Sequence, residues 1–553
     1  MPHFKNEDHS LMAMARFQLT NGTSKDQNTS IYGLPYGSIQ NTASNGIIDA
    51  FGTGAGHWRS MYLTASLHYA FKGRYVLDAS LRRDGSTKFG AGSRWGNFPG
   101  VSLRWNIVDE PWMKWSEKWL SMLSLRPGWG RVGNQPGGEG LYYAKYSNTT
   151  AYMGQAAIYP SNIQLANLRW EEKESWNIGV DLGLWNNRVT ADFNYYWQHT
   201  SSLLMQNYAL PSSSGFGKLD WVNEGDMQNN GWELNLNTNS LLKFSDVVID
   251  FNATFANNAN EITKMNPTVI QTLNNNYKFN NGNGQYAAMI KIGAPLGAIY
   301  GFRYKGVYQY STYSDVEVPG VSGPNAPVVR NMAGEVVRDA YGNTKPMMFC
   351  YGDEQTNYYE FKGGDAMYED VNGDGNIDKY DIVYLGSSLP KITGGFGMKV
   401  RWKGLQLNAQ FNYRYGNKII NMARATAEAM NTNDNQSAAV NWRWRVEGDV
   451  TPIPRAMYKS VPSYNWLGSD RFVEDGSFLR LNYLQLSYSL PQSLLKRIHL
   501  SGLNLYVSGN NLFVFTKYSG ADPEVNYGSL GVVTDNAKTP RARSFTVGAT
   551  VQF

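Results

Sequence analysis

The sequence predicts an all-β fold and, within that class, an antiparallel transmembrane β-barrel. Three observations carry this prediction. Segments of about ten residues alternate repeatedly between apolar and polar or small positions. Aromatic residues reach 14% and glycines number 56, while charged residues make up only 17% and mean hydropathy is -0.44. The connections between segments also alternate in length, short then long, along the whole chain.

Composition removes several other classes. No run approaches the roughly 18 to 20 uninterrupted apolar residues of a membrane helix. The wealth of Trp and Tyr argues against a disordered chain, and 56 Gly with 21 Pro argue against helical bundles. A net charge of +5 with no basic run gives no reason to propose nucleic acid as a partner. The single cysteine, Cys350, excludes a disulfide framework. The opening Met1 to Asp8 lacks the apolar core of a signal peptide.

The strands follow in order. The first is expected near 10–20, then 58–71 and 74–84, where Leu63, Ala65, Leu67, Tyr69 and Phe71 pass through Lys72-Gly73 into Tyr75, Leu77, Ala79 and Leu81. Strands near 98–107 and 123–132 come next, separated by Trp112, Trp115 and Trp119, which suit an aromatic girdle at a membrane surface. Ile178, Val180, Leu182 and Leu184 define a strand over 173–184, and Asn186-Asn187 turns it into 189–204. Further strands are expected near 231–240, 246–260, 285–292 and 298–309. The pair 392–402 and 405–416 turns at Lys403-Gly404, with Leu405, Leu407, Ala409, Phe411, Tyr413 and Tyr415 on one face and Gln406, Asn408, Gln410, Asn412 and Arg414 on the other. Strands near 479–490, 503–515 and 544–553 bring the total to roughly 16. Long polar connections (about 21–57, 85–97, 133–172, 205–230, 261–284, 310–391, 417–478 and 516–543) take every second position. In an up-and-down meander this puts them all at one end, the asymmetry of an outer-membrane barrel.

The most specific chemical motif is Asp370-Val371-Asn372-Gly373-Asp374-Gly375-Asn376-Ile377-Asp378-Lys379-Tyr380-Asp381. It places Asp370, Asn372, Asp374, Asn376, Asp378 and Asp381 at the oxygen positions of a 12-residue calcium loop, with Gly375 at the sharp turn. Position 12 is Asp where such loops carry a longer Glu, and the flanks are not helical. A structural Ca2+ is expected here; the competing reading is a surface loop of Asx turns. Gly52-Thr53-Gly54-Ala55-Gly56 reads as a flexible loop and not as a phosphate cradle, and the six histidines show no metal spacing. His68 falls on the polar face of its strand. No catalytic constellation stands out, and Cys350 reads as incidental.

These segments resemble the SusC/RagA family of TonB-linked (TonB-dependent) outer-membrane transporters of Bacteroidetes-type bacteria. The carrying strings are Leu81-Arg82-Arg83-Asp84-Gly85-Ser86-Thr87-Lys88-Phe89-Gly90 with Arg94-Trp95-Gly96-Asn97-Phe98-Pro99; Asn223-Glu224-Gly225-Asp226-Met227 with Asn230-Gly231-Trp232-Glu233; and Gly293-Ala294-Pro295-Leu296-Gly297 with Tyr300-Gly301. Arg471 to Leu481, Gly509-Asn510-Asn511-Leu512 and Tyr518 to Glu524 complete the ordered series. The resemblance spans residues 1–553 as the C-terminal portion of a TonB-dependent receptor β-barrel, about 16 of its 22 strands. The plug domain is absent from the sequence, and two unpaired strand edges are expected.

The resemblance implies a non-enzymatic barrel in the outer membrane, surrounded by outer-membrane lipid and importing a bulky oligosaccharide (glycan) or peptide. A SusD-like outer-membrane lipoprotein would form the lid. Energy would come from the TonB–ExbB–ExbD complex, engaged through an N-terminal region missing from this sequence. No residue is singled out as a substrate contact. The alternatives are a passive porin or loop-presenting adhesion barrel and, lower, a glycan-acting enzyme, for which no pair of carboxylates stands out.

Overall fold

The computed structural model describes residues 8–33, 47–153, 155–270, 286, 289–351, 357–458, 464–525, 527–528 and 531–553. Fourteen long strands carry the fold. They are β1 (His9–Tyr32), β2 (Ile47–Phe71), β3 (Tyr75–Ser86), β4 (Trp95–Asn106), β5 (Leu120–Asn134), β6 (Glu171–Leu184), β7 (Val189–Ser201), β8 (Asp226–Thr238), β9 (Val247–Lys264), β10 (Ile392–Trp402), β11 (Leu405–Tyr415), β12 (Phe478–Ser489), β13 (Gly502–Thr516) and β14 (Ser544–Gln552). Their hydrogen-bonded order is the chain order. The meander therefore has no crossover, as the alternation of loop lengths predicts. Among the described residues β1 and β14 each pair on one side only.

Local chemistry sets the hairpins. At the β10–β11 corner Trp402 pairs with Leu405, and Lys403 and Gly404 take φ of 43° and 90°, the positive values a two-residue hairpin needs. Asn186 and Asn187 take φ of 57° and 59° between β6 and β7, which Asn tolerates better than most residues.

Two expectations are corrected. The segments 285–292 and 298–309 are not wall strands: residues 286 and 289–292 carry no strand, residues 285, 287 and 288 lie outside the described residues, and 298–309 breaks into Ala298–Gly301 and Tyr304–Val307, each in a small two-stranded sheet. Ala298, Ile299 and Tyr300 are all buried. A strand packed on both sides belongs to a folded core, whereas a barrel wall buries neither face in protein. The second correction concerns the stretch 21–57, expected as loop. β1 runs on to Tyr32 and β2 begins at Ile47, with Gly52 to Gly56 inside the ladder. Both faces of this extension meet solvent, so it shows no apolar alternation.

The described chain divides into two compact units. The first (Met1–Asp181, Asn194–Gln228, Thr263–Asn266) contains the β1–β5 meander and a cluster of Phe89, Phe98, Leu141, Leu165, Leu168 and Trp170 at the roots of its loops. The second (Leu182–Phe193, Asn229–Ile262, Pro267–Phe553) contains β10–β14 and a loop module whose core is aromatic, including Tyr300, Phe302, Tyr308, Phe349, Phe361, Tyr368 and Tyr464. That module holds an eight-residue repeat the sequence reading missed. In Arg330–Val337 and Arg338–Lys345 each Arg Nη1 donates to the carbonyl of a Gly four residues on, Gly334 (2.9 Å) or Gly342 (3.0 Å). Asn331 and Asp339 each accept two backbone amides through Oδ1. Val329, Val337 and Lys345 close the repeat with a ring of backbone hydrogen bonds of 2.9 to 3.0 Å.

Candidate functional site

Strand register sorts the side chains onto two faces. In the second unit one row reads Asp250, Lys399, Asn408, Gln485, Ser508 and Thr546, and the next Asn252, Gly397, Gln410, Tyr483, Asn510 and Ser544. Hydrogen bonds knit these rows: Gln410 Nε2 donates to Asn408 Oδ1 (3.2 Å), and Arg401 reaches Asp250 at 2.8 Å. The alternate rows are apolar and bare, with Phe513 57% exposed and Val507 and Leu505 about half exposed. In the first unit the polar face carries His68 paired to Asp78 (2.7 Å), and Asp181 receives Arg126 (2.7 Å) and Ser124 (2.8 Å). His68, Asp78, Arg126 and Trp129 line a cavity of about 680 Å³ on that face. Leu63, Leu81 and Leu103 are half exposed on the other face. Trp112, Trp115 and Trp119 are exposed between β4 and β5, with the Trp115 and Trp119 rings 5.9 Å apart.

The strings that carry the family resemblance prove to be latches at the loop roots. Asn223 Nδ2 donates to the carbonyls of Arg169 (2.8 Å) and Ser202 (3.0 Å), while Asp226 Oδ1 accepts the Ser202 amide. Arg480, 2% exposed, reaches Asp522 at 2.6 Å and Glu524 at 2.8 Å, joining two motifs 42 residues apart. Arg471 pairs with Glu428 (2.8 Å), and Arg424 bridges Glu428 and Glu474. Deeper in the module, fully buried Asp365 accepts Arg455 Nε at 2.7 Å, the Tyr359 hydroxyl at 2.7 Å and the Lys362 amide at 2.9 Å. Sequence reasoning missed these pairs; the opposite charges inside the motifs were the signal available.

The loop 370–381 folds through its own carboxylates. Asp370 accepts the amides of Gly373 (2.7 Å) and Gly375 (2.8 Å), and Asp374 Oδ1 accepts that of Asn376. Asp381 accepts Val371 and Asp378 amides, both at 2.8 Å, which brings the two ends of the loop together. Asp378 caps the short helix Lys379–Asp381. Burial pushes the Asp381 carboxyl up to about 6, with Asp370 and Asp378 adding to the shift. Among the described residues no group of three or more His, Cys, Asp or Glu is arranged to hold a metal ion. Cys350 is buried, and burial pushes its thiol up to about 11, which leaves it protonated and a poor nucleophile.

A crossover-free antiparallel meander with one polar face and one bare apolar face is the wall of a transmembrane β-barrel. Among the described residues no helix is long and apolar enough to cross a membrane. The TonB-dependent receptor-like β-barrel family matches residues 3–512, and the chain belongs to that family. It is an outer-membrane barrel chain of the SusC/RagA type. It is 29% identical to TonB-dependent receptor P39 of Formosa agariphila over 567 aligned residues, covering 99% of this chain and 52% of the relative. It is 27% identical to TonB-dependent receptor SusC of Bacteroides thetaiotaomicron, covering 88% and 43%. The structure of the RagAB peptide transporter shares the fold, with a TM-score of 0.73 at 24% identity over 99% of this chain and 54% of that one. The chain thus spans about half the length of the relatives it matches.

Proposed function

We propose that this chain is barrel wall of an active importer that brings a bulky oligosaccharide or peptide across the outer membrane. TonB coupling supplies the energy and a SusD-like lipoprotein closes the outer end. The observation that carries the reading is the division of each strand into a hydrogen-bonded polar row and a bare apolar row, on a chain of the TonB-dependent receptor family. The relative named SusC and the peptide transporter RagAB favour an importer over the passive porin or adhesion barrel. Peptide and glycan both remain in the substrate class. The polar rows hydrogen-bond water and solute, the latches fix the loop roots, and no side chain is assigned a step of covalent chemistry.

The test is uptake of size-graded labelled oligosaccharides and peptides by cells with and without the gene that encodes this chain. Loss of one class on deletion, and equally on adding a protonophore, is the expected result. Uptake lost on deletion but indifferent to the protonophore makes the barrel passive.

A structural Ca2+ held by Asp370, Asn372, Asp374, Asn376, Asp378 and Asp381 is the second part of the proposal. It rests on the order of oxygen side chains, and it requires the ion to displace amides now bound to Asp370 and Asp381. Calcium should raise the protease resistance of 360–385, and Asp374→Ala should remove that effect. An unchanged digestion pattern makes this an ion-free Asx loop.

A further inference from the structure

On the apolar face of the second unit, the ends of β11, β12 and β13 that lead into long connections enclose a groove of about 580 Å³. Its floor is Tyr413, Leu479 and Phe515, which share one cross-strand row, with Tyr415 beside them; Tyr415 and Phe515 are 61% and 62% exposed. Lys517 lines the groove at its loop end. Two more lysines stand at the same end. Lys391, whose amide bonds the Tyr415 carbonyl, packs its chain beside Gly416, and Lys418 lies across from Asp475 in register. Asp475 also lines the groove, and both Lys418 and Lys517 act on its carboxylate. One carboxylate against three ammonium groups leaves a net positive rim. Arg414 is not counted, since its guanidinium stacks over the Phe478 and Tyr527 rings. At the other end of the same strands Lys403 is ion-paired with Asp246 at 3.3 Å, whereas none of the three lysines forms an ion pair among the described residues.

We propose that this groove binds a lipid with an anionic phosphate headgroup from the outer leaflet, its acyl chains on the aromatic floor and its phosphate among Lys391, Lys418 and Lys517. Charge complementarity and position select the occupant. The floor belongs to the row of side chains that faces hydrocarbon, so the ligand must be amphiphilic, and the cationic rim sits at headgroup level. The inference rests on the outer-membrane placement given above.

The experiment uses the full-length protein extracted from outer membranes, delipidated in mild detergent and probed by native mass spectrometry. Monophosphoryl lipid A is expected to bind at least about tenfold more tightly than the same lipid stripped of its phosphate, each lysine adding about 1 kcal/mol. The triple variant Lys391→Gln, Lys418→Gln, Lys517→Gln should lose that preference, with a circular dichroism spectrum and heat shift unchanged. Should the triple variant fail to fold, Lys517→Gln alone and about 0.5 M salt on the unaltered protein read the same preference. Equal binding of both lipids, or a preference that survives the substitutions, overturns the proposal. So does displacement by inorganic phosphate, which would mark a plain anion site. Failure of the outer-membrane placement itself is distinguishable, because the protein would then be missing from the outer-membrane fraction.

Discussion

Asp365 and Arg455 are 90 residues apart in sequence and form a bidentate pair with contacts of 2.7 and 3.2 Å. Taking Asp365 out of water is costly, and the pair holds because Tyr359 and the Lys362 amide satisfy the remaining oxygen lone pairs. Asp365→Ala would leave the Arg455 charge half buried without its partner, so the loop module should lose about 3 to 5 kcal/mol. Limited proteolysis in a denaturant series measures this; replacing both partners by apolar residues should restore a large part. Asp381 gives a pH dependence. Its folded-state carboxyl is raised to about 6, so the folded loop holds a proton that the unfolded loop has already released. Stability conferred at low pH should therefore fall as pH rises through about 6, and hydrogen exchange of the Val371 and Asp378 amides should quicken over that window. Asp381→Asn should flatten the profile. The 370–381 loop was legible in sequence because its oxygen residues sit at fixed local spacing. The Arg480 to Asp522 and Glu524 latch was not, since nothing in a linear string says which of 50 cations meets which of 45 anions.

Strands were legible wherever one face meets an apolar medium and the other meets water. β11 is the clearest case, with Leu407, Ala409 and Phe411 alternating against Asn408, Gln410 and Asn412, and its predicted span differs from the observed one by a single residue. The signal fails where both faces meet the same medium. Asn21 to Ser30 of β1 are polar on both sides because both are solvated, yet they pair with β2 residue by residue. Ile299 and Tyr300 are apolar on both sides because both pack in the loop module. The two faces of β13 should accordingly differ in their tolerance of charge. Val507→Lys on the bare apolar face should cost about 2 to 4 kcal/mol near the bilayer midplane, and Ser508→Lys next to it far less. Folding into lipid bilayers, followed by heat-modifiable migration in gels, separates the two variants. Equal losses would mean that β13 does not divide lipid from water.

For the whole molecule, the chain order of fourteen strands, the sorted faces and the family match describe one architecture. The loops are more than tethers. Their roots are latched by buried ion pairs, and the long connection between β9 and β10 contributes a folded module with its own aromatic core. These contacts hold the loop ends in fixed positions at the strand termini. The central claim is that these strands span the outer membrane with the polar rows toward water, and cysteine scanning along β11 tests it most directly. The native Cys350 is buried with a raised thiol, so its background labelling should be low. Single cysteines at 406 through 413 in the full-length protein, in intact outer membranes, are exposed to a membrane-impermeant maleimide. The account predicts labelling at Gln406, Asn408, Gln410 and Asn412 and protection at Leu407, Ala409, Phe411 and Tyr413. Uniform labelling along the strand, or protection on the polar row with labelling on the apolar one, would contradict it.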